Sequence, residues 1–339
     1  WYRDELNEKA LIQRWKEDGW KTLARTDECS QVTTPDASKF TQTGFLIVSW
    51  FTFGASDGSL ESHRSAAIFT STLAFAALAT LASRCLDNNK AAILVLGCLW
   101  MLSRPELMSA GIHRPSYHIM VLGMALAGHL LLSLDQRVKQ DLGLNRILLG
   151  AVFGALFIAG MTKPMSLLLA LPLIIHMARR ARNPFVRRWM IYTLLIITHA
   201  VVILVWSSSW MRYQISGGSD WGWWATTSEM FVLHTIVEDL GMIGCLFALF
   251  GIRAFLTSNN GVGRWIASGP IAYAVGVSLI MDELTGRLFI PLNAFLPILA
   301  ARGLIDVYEF IAMKAPGEWK EATRPGCLII AMLTLSVGI

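Results

Sequence analysis

Long apolar runs separated by short polar or basic turns recur along the chain from residue 62 onward. Ten stand out, at about 62–83, 91–103, 115–134, 147–161, 164–178, 189–211, 240–252, 265–281, 288–304 and 327–339. A helix needs about 20 apolar residues to cross a bilayer, and several of these runs are shorter. None shows the ten-residue alternation of a lipid-facing β-strand, so the pattern predicts helices and excludes an outer-membrane barrel. The expected fold class is an all-α polytopic membrane protein of about ten transmembrane helices. Composition agrees: 54% of the 339 residues are hydrophobic, only 16% are charged and the mean hydropathy is +0.49, values unlike those of a soluble domain.

Ahead of the first run the pattern changes, which divides the chain into residues 1–61 and a multi-span region, 62–339. Residues 1–28 predict an amphipathic helix with Leu6, Ala10, Leu11, Ile12 and Trp15 on its apolar strip. The segment 40–57 is apolar but interrupted by Thr41, Gln42, Thr43, Ser49 and Thr52, which favours a helix lying in the membrane interface over one that spans. Because the chain opens at Trp1 and not Met, and closes at Ile339 within an apolar run, a fragment cut at both ends is expected.

Charge orients the runs. When alternate loops are assigned to opposite sides, one side collects Arg84, Lys90, Arg137, Lys139, Arg146, Arg179, Arg180, Arg182, Arg187, Arg188, Arg253, Arg264, Arg302, Lys314, Lys320 and Arg324. The other holds Arg104, Arg114, Lys163, Arg212 and Arg287. Short cytoplasmic loops carry the Lys/Arg excess, so the first side is expected in the cytoplasm and the second outside it, in a plasma (inner) membrane or, in a eukaryote, the ER membrane. That account absorbs the net charge of +5 without nucleic acid. The five cysteines, Cys29, Cys85, Cys98, Cys245 and Cys327, form no CxxC pair and no metal or disulfide framework.

Candidate chemistry lies in the loops of the second side. Acids (Asp4, Glu5, Glu106, Asp220, Glu229, Glu238, Asp239, Asp282, Glu283) and cations (Arg114, Lys163, Arg212, Arg287) are expected to surround the mouth of an apolar bundle. Such a rim suits a lipid bearing a phosphate: the tail lies among apolar helices, the phosphate meets a cation, and a carboxylate takes a proton from an incoming hydroxyl. Lys163 precedes Pro164 at a helix start, where backbone N–H groups favour anions. Arg114 and Arg287 offer bidentate phosphate contacts, and Glu106 suits sugar hydroxyls or a divalent ion. The tryptophans at 206, 210, 221, 223 and 224 fit an interfacial aromatic belt, and His129, His176 and His199 are expected to be neutral, hydrogen-bonded core residues. Glu238 and Asp239 would be intramembrane if 230–252 were one span, so 229–239 is assigned to a separate interfacial helix.

The acidic pair Asp4–Glu5 with Gly19–Trp20 following, the Ser103–Arg104 step, Met161-Thr162-Lys163-Pro164 opening a Leu-rich helix, and Gly286-Arg287-Leu288-Phe289-Ile290-Pro291 running on to Leu296-Pro297 and Ala300-Ala301-Arg302-Gly303 together resemble the GT-C superfamily of glycosyltransferases. The likeness is to the branch of protein O-mannosyltransferases and bacterial aminoarabinose transferases, and its motifs are spread over essentially the whole chain. It implies transfer of a sugar from a polyprenyl-phosphate carrier to a glycan, lipid or protein acceptor on the non-cytoplasmic face, with inversion. Asp4 would be the general base. Glu5 would orient the acceptor, hold Arg3 or help bind a divalent metal, the one cofactor the resemblance admits; Lys163, Arg287, Arg114 and Glu106 would bind substrate. The sequence departs from the family pattern at HRPSYH, 113–118, where many members carry an acid, and at Arg3 beside Asp4. The rival reading is a non-enzymatic multipass protein such as a transporter or lipid flippase, which should show ionisable residues at mid-membrane depth and paired broken helices.

Overall fold

The computed structural model describes residues 60–86, 116–139, 146–162, 165–180, 226–258, 260–280 and 290–314, together with isolated positions between 93 and 97 and between 184 and 196. The described residues are almost all helical, and no strand occurs among them. They form α1 (Leu60–Cys85), α2 (Ser116–Lys139), α3 (Arg146–Thr162), α4 (Ser166–Arg180), α5 (Thr226–Thr257), α6 (Gly261–Ile280) and α7 (Ile290–Lys314). Each covers one apolar run of the sequence. The runs at 189–211 and 327–339, and everything before residue 60, lie outside the described residues, apart from isolated positions in the first of these.

Ten spans are more than the described helices show. Two of these helices contain an apolar window long enough to cross a membrane, Ile68–Cys85 and Leu240–Thr257; His118–Leu134, Ile147–Gly160 and Ser166–His176 are apolar but shorter. In the two long windows only 33% and 28% of residues are buried within the protein. The rest of α1 and α5 turns Ile68, Phe69, Leu73, Met242, Leu246, Leu249 and Phe250 outward, an apolar exterior that water disfavours and lipid does not. Hydroxyls on these helices fold back onto their own backbone, Thr72 onto the Ile68 carbonyl (2.8 Å) and Thr257 onto that of Arg253 (3.0 Å), which satisfies them without solvent.

Paired contacts fix the directions. Thr80 meets His129 and Arg84 meets Ser133, four residues on in both helices, so α1 and α2 run parallel. Leu96, within the run expected at 91–103, is fully buried. Antiparallel packing joins α4 to α6, since Gly276 faces Leu168 while Ser268 bonds His176. Asn260 caps α6 by accepting from the Val262 N–H (3.0 Å), and its side-chain amide reaches Cys85 Sγ at 3.9 Å, which brings the end of α1 beside the start of α6.

Two glycines matter for distinct reasons. Gly241 has φ 69°, a left-handed value that breaks α5 and separates Glu238 and Asp239 from the long apolar window, in line with the separate helix expected there. At the α5–α7 seam, a Cβ on Gly303 would collide with the Phe247 carbonyl and one on Gly251 with the Leu299 carbonyl, so the two backbones touch. Gly303→Val should therefore destabilise the protein by about 3 kcal/mol, the upper range for forced overpacking. Gly150→Ala, at a position with open space, should gain about 1 kcal/mol from helix propensity. Thermal unfolding of both variants in detergent checks the pair.

Candidate functional site

Polar side chains collect at opposite ends of the bundle. At one end, α2 begins, α3 finishes and α4 starts. His118, in the first turn of α2, is 2% exposed, and neither ring nitrogen has a hydrogen-bond partner; Phe75 of α1 meets the ring edge-on at 5.9 Å. Gly123 packs against Ala155 and Ala159 of the neighbouring α3, and that register carries the level of His118 to that of Thr162. Thr162 is fully buried and donates to the Ile158 carbonyl (2.7 Å), and Ser166 opens α4 with 1% exposure. A buried imidazole with no partner is costly, which marks this end as chemically distinct from the surrounding apolar core.

At the other end a denser network joins α1 to α2. Arg84 Nη1 donates to His129 Nδ1 (2.9 Å), to the His129 carbonyl (3.2 Å) and to Ser133 Oγ (3.2 Å), while Nη2 donates to Gln136 Oε1 (3.0 Å). A guanidinium only donates, so Nδ1 is the acceptor and the ring proton sits on Nε2, which donates to Thr80 Oγ1 at 2.9 Å. The Thr80 hydroxyl passes its own proton to the Ala76 carbonyl (2.9 Å). Nearby on this end, Arg264 Nε donates to the Ser258 carbonyl (3.0 Å), and Arg302 lies over Phe255 at 6.0 Å while pairing with Asp306 at 3.1 Å. Arg84, Arg137, Arg264 and Arg302, which the sequence assigns to one side, thus share one end of the bundle.

The comparisons with known proteins add nothing to this geometry. No family model, curated protein or solved structure matches the chain. The GT-C resemblance accordingly rests on the sequence motifs themselves.

Of the residues the sequence nominates, Asp4, Glu5, Glu106, Arg114, Lys163 and Arg287 all lie outside the described residues. Thr162 and Ser166, which are described, bracket Lys163 in sequence, and both are buried. No group of three His, Cys, Asp or Glu suited to a metal occurs among the described residues. His129 and His176 are hydrogen-bonded as expected, the latter to Ser268 at 3.0 Å, and His199 lies outside the described residues. Sequence reasoning missed His118, taken only as part of a departure from a motif, and treated Arg84 as a loop charge. The spacing of His129, Ser133 and Gln136 on one edge of an apolar helix was the available signal.

His118→Leu removes two unsatisfied nitrogens from an apolar setting. The expected outcome is a gain of about 1 kcal/mol in stability, read as a rise in melting temperature in detergent. A loss of stability would mean that the ring has a structural partner.

Proposed function

We propose that the protein is an integral-membrane glycosyltransferase of the GT-C type, moving a sugar from a polyprenyl-phosphate carrier to an acceptor on the non-cytoplasmic face of a plasma (inner) membrane, or of the ER membrane in a eukaryote, within a bundle of about ten spans. The observation that carries the reading is the Thr162-Lys163-Pro164 turn of the sequence, bracketed by buried Thr162 and Ser166 at the end of the bundle where His118 is buried and unpartnered. In sequence, Arg114 stands two residues before α2 and Arg287 three before α7. Apolar helix faces turned outward on α1 and α5 supply what a carrier's hydrocarbon needs.

In this mechanism Asp4 accepts the proton of the acceptor hydroxyl as its oxygen attacks the anomeric carbon. The bond from that carbon to the phosphate oxygen breaks, and the configuration inverts. The departing lipid phosphate carries the negative charge, which Lys163, Arg114 and Arg287 stabilise. Glu5 orients the acceptor or helps hold a divalent metal, and Glu106 meets sugar hydroxyls. The test uses membranes containing the full-length protein and radiolabelled polyprenyl-phosphate sugars. Asp4→Asn should abolish transfer, and Lys163→Gln should raise the donor KM about tenfold, the loss of one charge-assisted hydrogen bond. Equal transfer by wild type and Asp4→Asn removes Asp4 from the mechanism; no transfer from any such donor by wild type removes the activity.

A further inference from the structure

His118 is a buried polar side chain that the fold does not use. It stands in the first turn of α2, is 2% exposed, and neither Nδ1 nor Nε2 has a hydrogen-bond partner, whereas His129 bonds Arg84 and Thr80, and His176 bonds Ser268. A ring withdrawn from water with both nitrogens unsatisfied costs stability that a leucine in its place would not, so packing does not account for a histidine here. Such local violations coincide with places where a ligand or a reaction needs the polar group. The chemistry of the ring says what it would take. A neutral imidazole carries a donor on one nitrogen and an acceptor on the other; a hydroxyl complements both, while a phosphate oxygen that only accepts satisfies one. Depth narrows the ligand further. Gly123 against Ala155 and Ala159 sets a register that brings His118 level with Thr162 of α3, and Lys163 is the next residue in sequence. In a lipid-phosphate sugar the sugar is bonded directly to the phosphate, so a group at the level of the phosphate-binding turn meets the sugar and not the hydrocarbon.

We propose that His118 binds a hydroxyl of the sugar on the lipid-phosphate donor, and so distinguishes the glycosylated carrier from the bare one. The inference rests on the glycosyltransferase reading and adds to it a residue that none of the resembling motifs contains. Because the buried imidazole gives up no water when it bonds the sugar, that hydrogen bond is worth more than one formed at an exposed ring. Phe75 of α1, edge-on to the imidazole at 5.9 Å and itself only partly buried, is a side chain that can turn aside to admit the sugar.

The test uses the full chain in lauryldimethylamine oxide, a detergent without a sugar, and follows the melting temperature during titration with citronellyl phosphate and with its mannosyl, glucosyl and arabinosyl esters. Wild type should bind at least one of the glycosyl esters about tenfold more tightly than citronellyl phosphate, the worth of one well-placed hydrogen bond. His118→Leu, which should melt no lower than wild type, should bind that ester only as tightly as the bare phosphate. His118→Gln, which keeps a donor and an acceptor, should retain part of the preference. If His118→Leu keeps the full preference, or if wild type binds the esters no more tightly than citronellyl phosphate, the inference is overturned and the glycosyltransferase reading stands. A His118→Leu protein that melts below wild type assigns the ring a structural role and overturns it as well. Should wild type bind none of these lipids, the lipid-phosphate reading itself fails and the inference falls with it.

Discussion

The indole of Trp265 ties helices from both halves of the bundle into one core. It is fully buried on α6, its N–H donates to the Leu169 carbonyl of α4 at 2.8 Å, and Phe295 of α7 meets its ring edge-on at 5.2 Å. Its outer ring fills the space beside Gly128 of α2, where a Cβ would sit 3.1 Å from Cζ3 and 3.0 Å from Leu81 of α1. A large aromatic residue with a polar edge suits this position because the N–H is satisfied by a backbone acceptor while the rest of the ring packs against apolar neighbours. The packing of α1 and α2 at one side and of α4, α6 and α7 at the other meets at this ring.

Around that core most of the described polar groups inside the bundle bond within it. Threonine hydroxyls return to their own carbonyls, His176 takes Ser268, and Arg84 gathers four acceptors from α2. His118 and the Nε atoms of Arg137 and Arg302 are the buried exceptions among the described residues. His118 and Arg137 fall near opposite ends of α2.

Much of the architecture was legible in the chain because helix length and apolarity are local properties. The runs at 62–83, 115–134, 147–161, 164–178, 265–281 and 288–304 became α1, α2, α3, α4, α6 and α7 with ends shifted by a few residues, except that α7 runs on to Lys314; at 240–252 the helix extends further, its N-terminal part set off by the break at Gly241. The gathering of Arg84, Arg137, Arg264 and Arg302 was legible from loop parity alone. What could not be read were the pairings: no local pattern tells that α1 lies parallel to α2, that Arg84 reaches across to His129, or that Trp265 reaches Leu169, contacts separated by 45 and 96 residues. The nominated site residues, led by Asp4 and Lys163, belong to segments outside the described residues, so the sequence remains the ground for assigning them roles.

Backbone contact at Gly251 and Gly303 has a mechanical corollary. With no side chains between them to act as bearings, α5 and α7 can neither rotate nor slide independently, and they travel as one rigid plank. In the proposed reading, a widening that admits the carrier's hydrocarbon has to occur elsewhere. The joint between α3 and α4 touches sparsely, despite their closeness in sequence, and it flanks the buried hydroxyls of Thr162 and Ser166. A gap opening there would leave the plank, and the indole packed against it, undisturbed.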